Sequence, residues 1–166
     1  MKLRSIFLSV FLLNLSISCI AQVNDAAFNS MLKNLLSHSV KEISVKDAAN
    51  KKGVLFLDAR EIEEYKVSHL KNAANVGYNK FDIACMKSVS KEQPIIVYCS
   101  VGYRSEKISE KLFDAGFKNV QNLYGGIFEW VNEGNVVYDS AGKPTSSVHA
   151  YDHSWGTWLK KGDKVY

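Results

Sequence analysis

The sequence predicts an α/β domain of three layers, in which a central parallel sheet is flanked by helices on both faces. Two continuous apolar segments, VLFLDA (54–59) and PIIVYC (94–99), are typical of strands that are buried on both faces. Segments with apolar residues at helical spacing alternate with these strands, as in parallel sheets covered by helices. At 166 residues and 46% hydrophobic content, the chain suffices for one such domain with one core.

The predicted elements follow one another closely. A helix is expected over residues 25–37, because its apolar residues recur at helical spacing. The strand EISV precedes a helix over residues 46–51, for which Ser44 is the predicted N-cap. The next elements are the strand VLFLDA, the helix EIEEYKVSHL, the strand AANV, a helix from Asn79, the strand PIIVYC, the helix SEKISEKLFDAG, the strand NVQNL and the helix GGIFEWVNEG. In the helix from Asn79, the residues available for burial are Phe81, Ile83, Ala84 and Met86.

The N-terminus has the order of a secretory signal peptide. Lys2 and Arg4 precede the apolar run IFLSVFLLNL, and the small-residue segment SISCIA follows it. We expect cleavage after Ala21 and export, with the periplasm as the favoured location; the alternative is a lipid anchor on Cys19. The expected division of the chain is a signal peptide (1–21), an N-terminal helical extension (22–39), the main domain (40–137) and an aromatic C-terminal extension packed on it (138–166).

Charge and cysteine usage argue against several classes of function. Without Lys2 and Arg4, 19 Lys and Arg remain against 17 Asp and Glu, and a net charge of +2 is too small to indicate nucleic-acid binding. No CxxC pair or Cys/His cluster with zinc spacing occurs, so we expect neither a metal nor another cofactor. No segment of the mature chain is apolar enough to span a membrane, and a monomer is expected.

The chemistry is expected at the segment PIIVYCSVGYRSEKISEKL, which is a strand, a short loop and a helix. Cys99 ends the strand, at the edge of a parallel sheet where ligands bind. The loop leads into a helix N-terminus, where free backbone N–H groups favour an anion such as a thiolate. Arg104 adds a permanent positive charge whose forked donors suit oxyanions. Cys99 and Arg104 are therefore the candidate catalytic residues. The residues expected to contact substrate are Ser100, Val101, Gly102, Tyr103 and Ser105.

Three motifs in this order resemble the rhodanese family. CSVGYRS resembles its active-site loop, LDAREIEEYKVSHLKNAANV its upstream signature and YGGIFEWVNEG its downstream signature, together covering about residues 40–137. The resemblance implies a sulfurtransferase that takes a sulfane sulfur from thiosulfate or a persulfide onto Cys99 and passes it to a thiol or cyanide. It implies a small sulfur donor and a thiol acceptor or reducing protein as partners.

The resemblance leaves several residues open to more than one interpretation. Asp58 and Arg60 either bind the donor at the mouth of the site or form a structural ion pair. His69 is interpreted as structural rather than as a general base. Cys85 is expected in the core, because it lies at apolar helical spacing in IACM, although a redox role beside Cys99 is the alternative.

One departure from the family pattern, the length of the active-site loop and two alternative functions bear on the interpretation. Many family members carry Arg directly after the cysteine, whereas this chain has Ser100, which favours persulfides over thiosulfate as donors. Four residues separate Cys99 from Arg104, one fewer than in related phosphatases, and the shorter loop favours sulfur over phosphate. The alternatives are a non-catalytic binding or sensor module, which often lacks the cysteine, and a phosphatase or arsenate reductase. Tyr103 is expected in the pocket wall and Trp130 in the core.

Overall fold

The structure, a computed structural model, describes residues 23–166. The predicted signal peptide and the candidate lipidation site Cys19 lie outside these residues. The helices are α1 (Ala26–Leu35), α2 (Val45–Asn50), α3 (Ile62–Val67), α4 (Tyr103–Asp114), α5 (Gly126–Asn132) and α6 (His153–Gly156). The strands are β1 (Glu42–Ile43), β2 (Leu55–Asp58), β3 (Ala74–Asn75), β4 (Ile95–Tyr98), β5 (Val120–Leu123), β6 (Val137–Tyr138), β7 (Pro144–Thr145), β8 (Ser147–His149) and β9 (Asp163–Val165).

The first five strands form one parallel sheet in the order β1-β5-β4-β2-β3, which confirms the predicted fold class. Its central strand β4 is buried on both faces, because side chains alternate along a strand. Ile96 and Tyr98 join a core that includes residues of α1, α2 and α5. Ile95 and Val97 join a second core that includes residues of α4. The carboxyl end of β4 therefore lies at the centre of a sheet covered on both faces.

Local signals set several helix starts. The Ser44 side chain accepts the Asp47 N–H and caps α2 as predicted. Helix α4 begins at Tyr103, two residues before the predicted start, because Gly102 adopts a φ of 126° and turns the chain directly into the helix. Arg104 and Ser105 consequently lie in the first turn of α4, beside Cys99.

The helix predicted from Asn79 is wrong in extent. Only a single 3₁₀ turn forms, over Ile83–Met86, because the Asp82 side chain accepts the Ala84 N–H and starts the turn there. Met86 is buried as predicted, but Ile83 and Ala84 are exposed. Cys85 is also exposed, so its predicted place in the core is wrong. Partial burial and the charge of Asp82 raise the pKa of the Cys85 thiol.

Both extensions pack against the main domain. In the C-terminal extension, β6 pairs antiparallel with β7, and β8 pairs parallel with β9. Val148 and Leu159 of this extension are fully buried in the same core as α5. Phe28 of α1 stacks on Trp158, with ring centroids 5.3 Å apart, so the two extensions also contact each other. Within residues 23–166, no helix has the length and apolar character needed to cross a bilayer.

The segment after α1 is held by a buried carboxylate of α4. Glu106 is fully buried and accepts the backbone N–H groups of Ser37 and Ser39, at 3.0 and 3.2 Å. Two hydrogen bonds to a buried charge are strong ones, because little water competes for it. They attach the N-terminal extension to the helix that begins at the Cys99 loop.

Candidate active site

The Cys99 thiol lies at the junction of β4 and α4, where the sequence predicted it. Its Sγ atom accepts the backbone N–H of Gly102 at 3.2 Å. Gly102 has a φ of 126°, a region that residues with a Cβ rarely adopt, and this conformation turns the N–H toward the sulfur. The first turn of α4 also directs its partial positive charge at this point. The loop can therefore stabilise negative charge on a sulfur atom at Cys99.

Helix α5 holds the loop from behind. The N–H of Ile127 donates to the Cys99 carbonyl at 2.9 Å, and the N–H of Phe128 donates to the Ser100 carbonyl at 3.1 Å. A Cβ on Gly126 would lie 2.4 Å from the Cys99 carbonyl oxygen and 2.5 Å from that of Ser100. The glycine pair of YGGIFEWVNEG thus permits two backbone chains to approach closely and fixes the path of the loop.

A buried ion pair fixes the other end of the loop. Arg104 donates from both terminal nitrogens to Glu64 of α3, at 2.7 and 2.8 Å, and also to the Ser100 hydroxyl at 3.0 Å. Burial disfavours both charges, but the paired hydrogen bonds and opposite charge outweigh it. The pKa of Arg104 is therefore raised and the pKa of Glu64 lowered. The predicted oxyanion-binding fork of Arg104 is engaged by Glu64.

A second buried network lies beneath Cys99. The Ser105 hydroxyl is 2.7 Å from the Asn122 side-chain oxygen, 3.0 Å from the Gly102 carbonyl and 3.5 Å from Cys99 Sγ. The Asn122 amide also donates to the Gly102 carbonyl at 3.0 Å. Because a hydroxyl carries one proton, its three possible acceptors compete for it. Ser105, a predicted substrate contact, is fully buried and orients the loop from below.

A cavity of about 430 Å³ opens beside the loop. Its lining residues are Leu35, Glu61, Tyr78, Asn79, Cys99, Ser100, Val101, Tyr103, Arg104, Tyr151 and Trp155. Cavities of this size bind organic ligands rather than single ions. Of the predicted loop contacts, Ser100, Val101 and Tyr103 lie on its surface, whereas Gly102 and Ser105 do not.

Asp58 and Arg60 form a structural ion pair and do not line the cavity. Both side chains are fully buried, and the Arg60 guanidinium bonds the Asp58 carboxylate at 2.6 and 3.0 Å and the Ser68 carbonyl at 2.6 Å. Burial opposes the charge on Arg60, but Asp58 outweighs it and raises the pKa of Arg60. The interpretation that this pair binds the donor directly is wrong, because neither side chain is accessible.

His69 and Trp130 also lie away from the cavity. The His69 ring stacks on Tyr65 at 3.9 Å between centroids, and its backbone pairs with Tyr138. Trp130 packs edge-on against Phe56. Both arrangements agree with the structural roles that the sequence favoured for these residues.

Sequence reasoning missed eight residues of the site. Two of them are Glu64 and Asn122, and the other six line the cavity: Leu35, Glu61, Tyr78, Asn79, Tyr151 and Trp155. Glu64 had a visible signal, because it is the glutamate of the upstream signature, but its partner lies 40 residues away. Asn122 is a polar residue of β5 that is itself fully buried. Tyr151 and Trp155 belong to the aromatic C-terminal extension, whose position the sequence did not specify. Within the described residues, no group of three or more His, Cys, Asp or Glu side chains is arranged to hold a metal ion.

Comparison with known proteins identifies related domains. The sequence pattern of the Rhodanese-like domain family matches residues 43–133. A tRNA uridine(34) hydroxylase of Hamiltonella defensa is 37% identical over 116 residues, which are 66% of this chain and 31% of that protein. The chain thus spans about a third of the length of this curated relative.

Two solved structures have similar folds. A Bacillus halodurans protein is 29% identical, with a TM-score of 0.56 over 70% of this chain and 86% of that one. A rhodanese-like domain protein of Staphylococcus aureus is 25% identical, with a TM-score of 0.53 over 60% of this chain and 98% of that one. The matched family region contains Cys99 and Arg104 and ends before the C-terminal extension.

Proposed function

Because this chain belongs to the rhodanese-like domain family, we propose that it is a sulfurtransferase that carries sulfur as a persulfide on Cys99. The observation that carries the proposal is the Cys99 Sγ atom, which accepts the Gly102 N–H at the N-terminus of α4 and lines an accessible cavity. A thiolate is the reactive form of cysteine, and a persulfide anion needs the same stabilisation.

The proposed reaction has two displacements at sulfur. The Cys99 thiolate attacks the outer sulfur of a donor, the donor S–S bond breaks, and the donor's remaining part leaves with the electron pair. Cys99 then holds the persulfide. An acceptor thiolate or cyanide attacks the outer sulfur of this persulfide and releases the Cys99 thiolate, so no external oxidant or reductant is required.

Loop length favours sulfur transfer over phosphate chemistry. Four residues separate Cys99 from Arg104, and both terminal nitrogens of Arg104 are bonded to Glu64. A phosphoryl group needs several free donors around its equatorial oxygens. The short loop and the occupied Arg104 fork do not supply this arrangement, which argues against a phosphatase or arsenate reductase.

The relatives named tRNA uridine(34) hydroxylase are much longer than this chain. The Hamiltonella defensa protein is more than three times as long as the region that matches this chain. With Lys2 and Arg4 left out, the net charge is +2, which gives little electrostatic attraction for RNA. Sulfur transfer to a small thiol or a protein thiol is the function we propose.

Intact mass spectrometry tests the proposal. The Cys85→Ser variant is the starting protein, because Cys85 is a second, exposed thiol that would confuse the reading. We expect the mass of one sulfur to be added by a thiol persulfide, and thiocyanate to form when cyanide is supplied. The same variant with Cys99→Ser is the control and should gain nothing. Absence of sulfur on Cys99 with every donor would favour a binding module instead.

Export is a separate part of the proposal. The basic start, the apolar run and the small residues before Gln22 support cleavage after Ala21. The N-terminus of protein recovered from a bacterial periplasm would begin at Gln22 if this is correct. A mature chain that begins with lipid-modified Cys19 would support the anchor, and an intact N-terminus would contradict both.

A further inference from the structure

The cavity beside Cys99 has two walls of different origin. The loop wall consists of Cys99, Ser100, Val101, Tyr103 and Arg104, inside the matched family region. The tail wall consists of Tyr151 and Trp155, which lie beyond residue 133, where the family pattern ends. Part of the cavity lining is therefore supplied by this chain's C-terminal extension, outside the matched family region.

The cavity is rich in aromatic rings. Three tyrosines, Tyr78, Tyr103 and Tyr151, and the indole of Trp155 line it together with Leu35 of α1. Aromatic surfaces bind apolar and planar groups and contribute little to the binding of a small hydrated anion. At about 430 Å³, the cavity is also large for an inorganic donor.

The charges on the cavity surface nearly cancel. Its charged lining residues are Arg104 and Glu61, which carry opposite signs. Glu64 further neutralises Arg104 through two hydrogen bonds. A doubly charged donor such as thiosulfate would lose hydration there without a surplus positive charge in exchange. An apolar donor with a single negative charge loses less.

Tyr151 is placed in a way that points to ligand contact. Its backbone has a φ of 68°, which is unfavourable for a residue with a Cβ, and such strain is concentrated at ligand-binding positions. Its ring centroid lies 5.4 Å from the Arg104 guanidinium carbon, within the range of a cation–π interaction. Tyr151 nevertheless remains 54% exposed, so its contact with Arg104 does not bury it.

We propose that the cavity selects organic sulfur donors with an apolar, preferably aromatic body and at most one negative charge, and that Tyr151 and Trp155 determine this selectivity. This inference rests on the proposed sulfur transfer. With a thiosulfonate donor, the Cys99 thiolate attacks the outer sulfur, the S–S bond breaks, and the sulfinate leaves with the electron pair. Cyanide then takes the outer sulfur as thiocyanate and restores the thiolate.

Two thiosulfonates isolate the contribution of the aromatic body. Benzenethiosulfonate and methanethiosulfonate carry the same charge and the same reacting S–S bond, and they differ in the group that would occupy the cavity. We compare kcat/KM for thiocyanate formation, divided for each donor by its uncatalysed rate with cyanide. The expected preference of the wild-type protein for the benzene donor is about tenfold or more, the scale of discrimination by an apolar pocket.

Variants of the tail wall should remove this preference. In Tyr151→Ala and Trp155→Ala, we expect the ratio of kcat/KM for benzenethiosulfonate to kcat/KM for methanethiosulfonate to fall severalfold, because the donor with the ring loses more contact. Phe113→Ala is the matched control, because Phe113 is an exposed aromatic residue of α4 that does not line the cavity. An equal normalised kcat/KM for both donors in the wild-type protein would overturn the inference. An equal loss of kcat/KM for both donors in the variants would overturn it as well.

Binding of the leaving groups separates this inference from the proposed function. In the Cys99→Ser variant, we expect benzenesulfinate to shift NMR signals of Trp155 at lower concentrations than methanesulfinate does. This readout needs no turnover. Selective sulfinate binding without sulfur on Cys99 would support the pocket and contradict the transferase. Sulfur transfer without selective binding would contradict the pocket alone.

Discussion

The loop wall and the tail wall of the cavity are held in contrasting ways. The loop wall is held by three largely buried sets of hydrogen bonds: those from two N–H groups of α5, the Arg104–Glu64 ion pair and the Ser105–Asn122 network. The tail wall depends on Tyr151, an exposed residue in a left-handed conformation, and on Trp155 in a helix of four residues. The loop wall is thus held rigidly in place, whereas the exposed Tyr151 of the tail wall can change with little cost to the fold.

The largest effect should follow removal of Glu64. Glu64→Ala leaves Arg104 partly buried without its partner, so we expect a loss of about 3 kcal/mol in the free energy of unfolding. Sulfur loading of Cys99 should slow on the order of 100-fold, because the loop loses its fixed geometry. Urea denaturation and timed mass spectrometry measure the two effects. Glu63→Ala, on the exposed side of α3, is the control and should change neither by much.

A methyl group at Gly126 should act on the same wall through the backbone. Gly126→Ala meets the Cys99 and Ser100 carbonyl oxygens, whereas Gly134→Ala, also at positive φ, meets nothing within 4 Å. A Cβ at positive φ destabilises both variants, but only Gly126→Ala adds a clash. We therefore expect Gly126→Ala to be less stable than Gly134→Ala by about 2 kcal/mol. Equal denaturation midpoints for the two alanine variants would show that the α5 contact does not constrain the loop.

The ion pair should also give the loop wall a pH dependence. The pKa of Glu64 is lowered in the folded protein, so the unfolded chain binds the proton more readily. The stability from Glu64 is therefore fully present above its unfolded pKa, about 4.3, and is lost as pH falls through the lower folded value. The stability difference between the wild-type protein and Glu64→Gln should shrink as urea denaturation is repeated from about pH 6 to pH 3. A stability difference that grows as the pH falls would contradict this prediction.

The smallest effect is expected at the tail wall. Tyr151→Ala removes an exposed ring and should change the free energy of unfolding by less than about 0.5 kcal/mol. Tyr151→Gly should be at least as stable as Tyr151→Ala, since glycine adopts a φ of 68° without strain. Thermal denaturation of the two variants compares them. A loss of several kcal/mol in either would mean that the tail wall is structural after all.

The difference between the walls also explains what the sequence could predict. The parallel sheet and the place of Cys99 followed from local patterns, because apolar strands, helical spacing and the loop motif each lie within a short segment. The Arg104–Glu64 pair could be suspected from the upstream signature, but its geometry depends on how α3 docks. Cys85 was misplaced because a 3₁₀ turn replaces the regular helix that its spacing indicated.

The tail wall could not be predicted from such patterns. The extension contains short strands, a four-residue helix and turns, and neither helical nor strand periodicity extends far enough to show which side chains face inward. Tyr151 adopts its position through a left-handed backbone that no neighbouring glycine signals. Its proximity to Arg104 becomes apparent only once the extension is folded.

The stacking of Phe28 on Trp158 has a consequence for how the protein folds. These rings come from opposite ends of the described chain, and closing so long a loop costs more entropy than the local contacts of the sheet and helices. We therefore expect this contact to form late in folding, after the central sheet. Deletion of α1 would accordingly loosen the C-terminal segment as well, and protease sites near Trp158 would open in a protein shortened only at its other end.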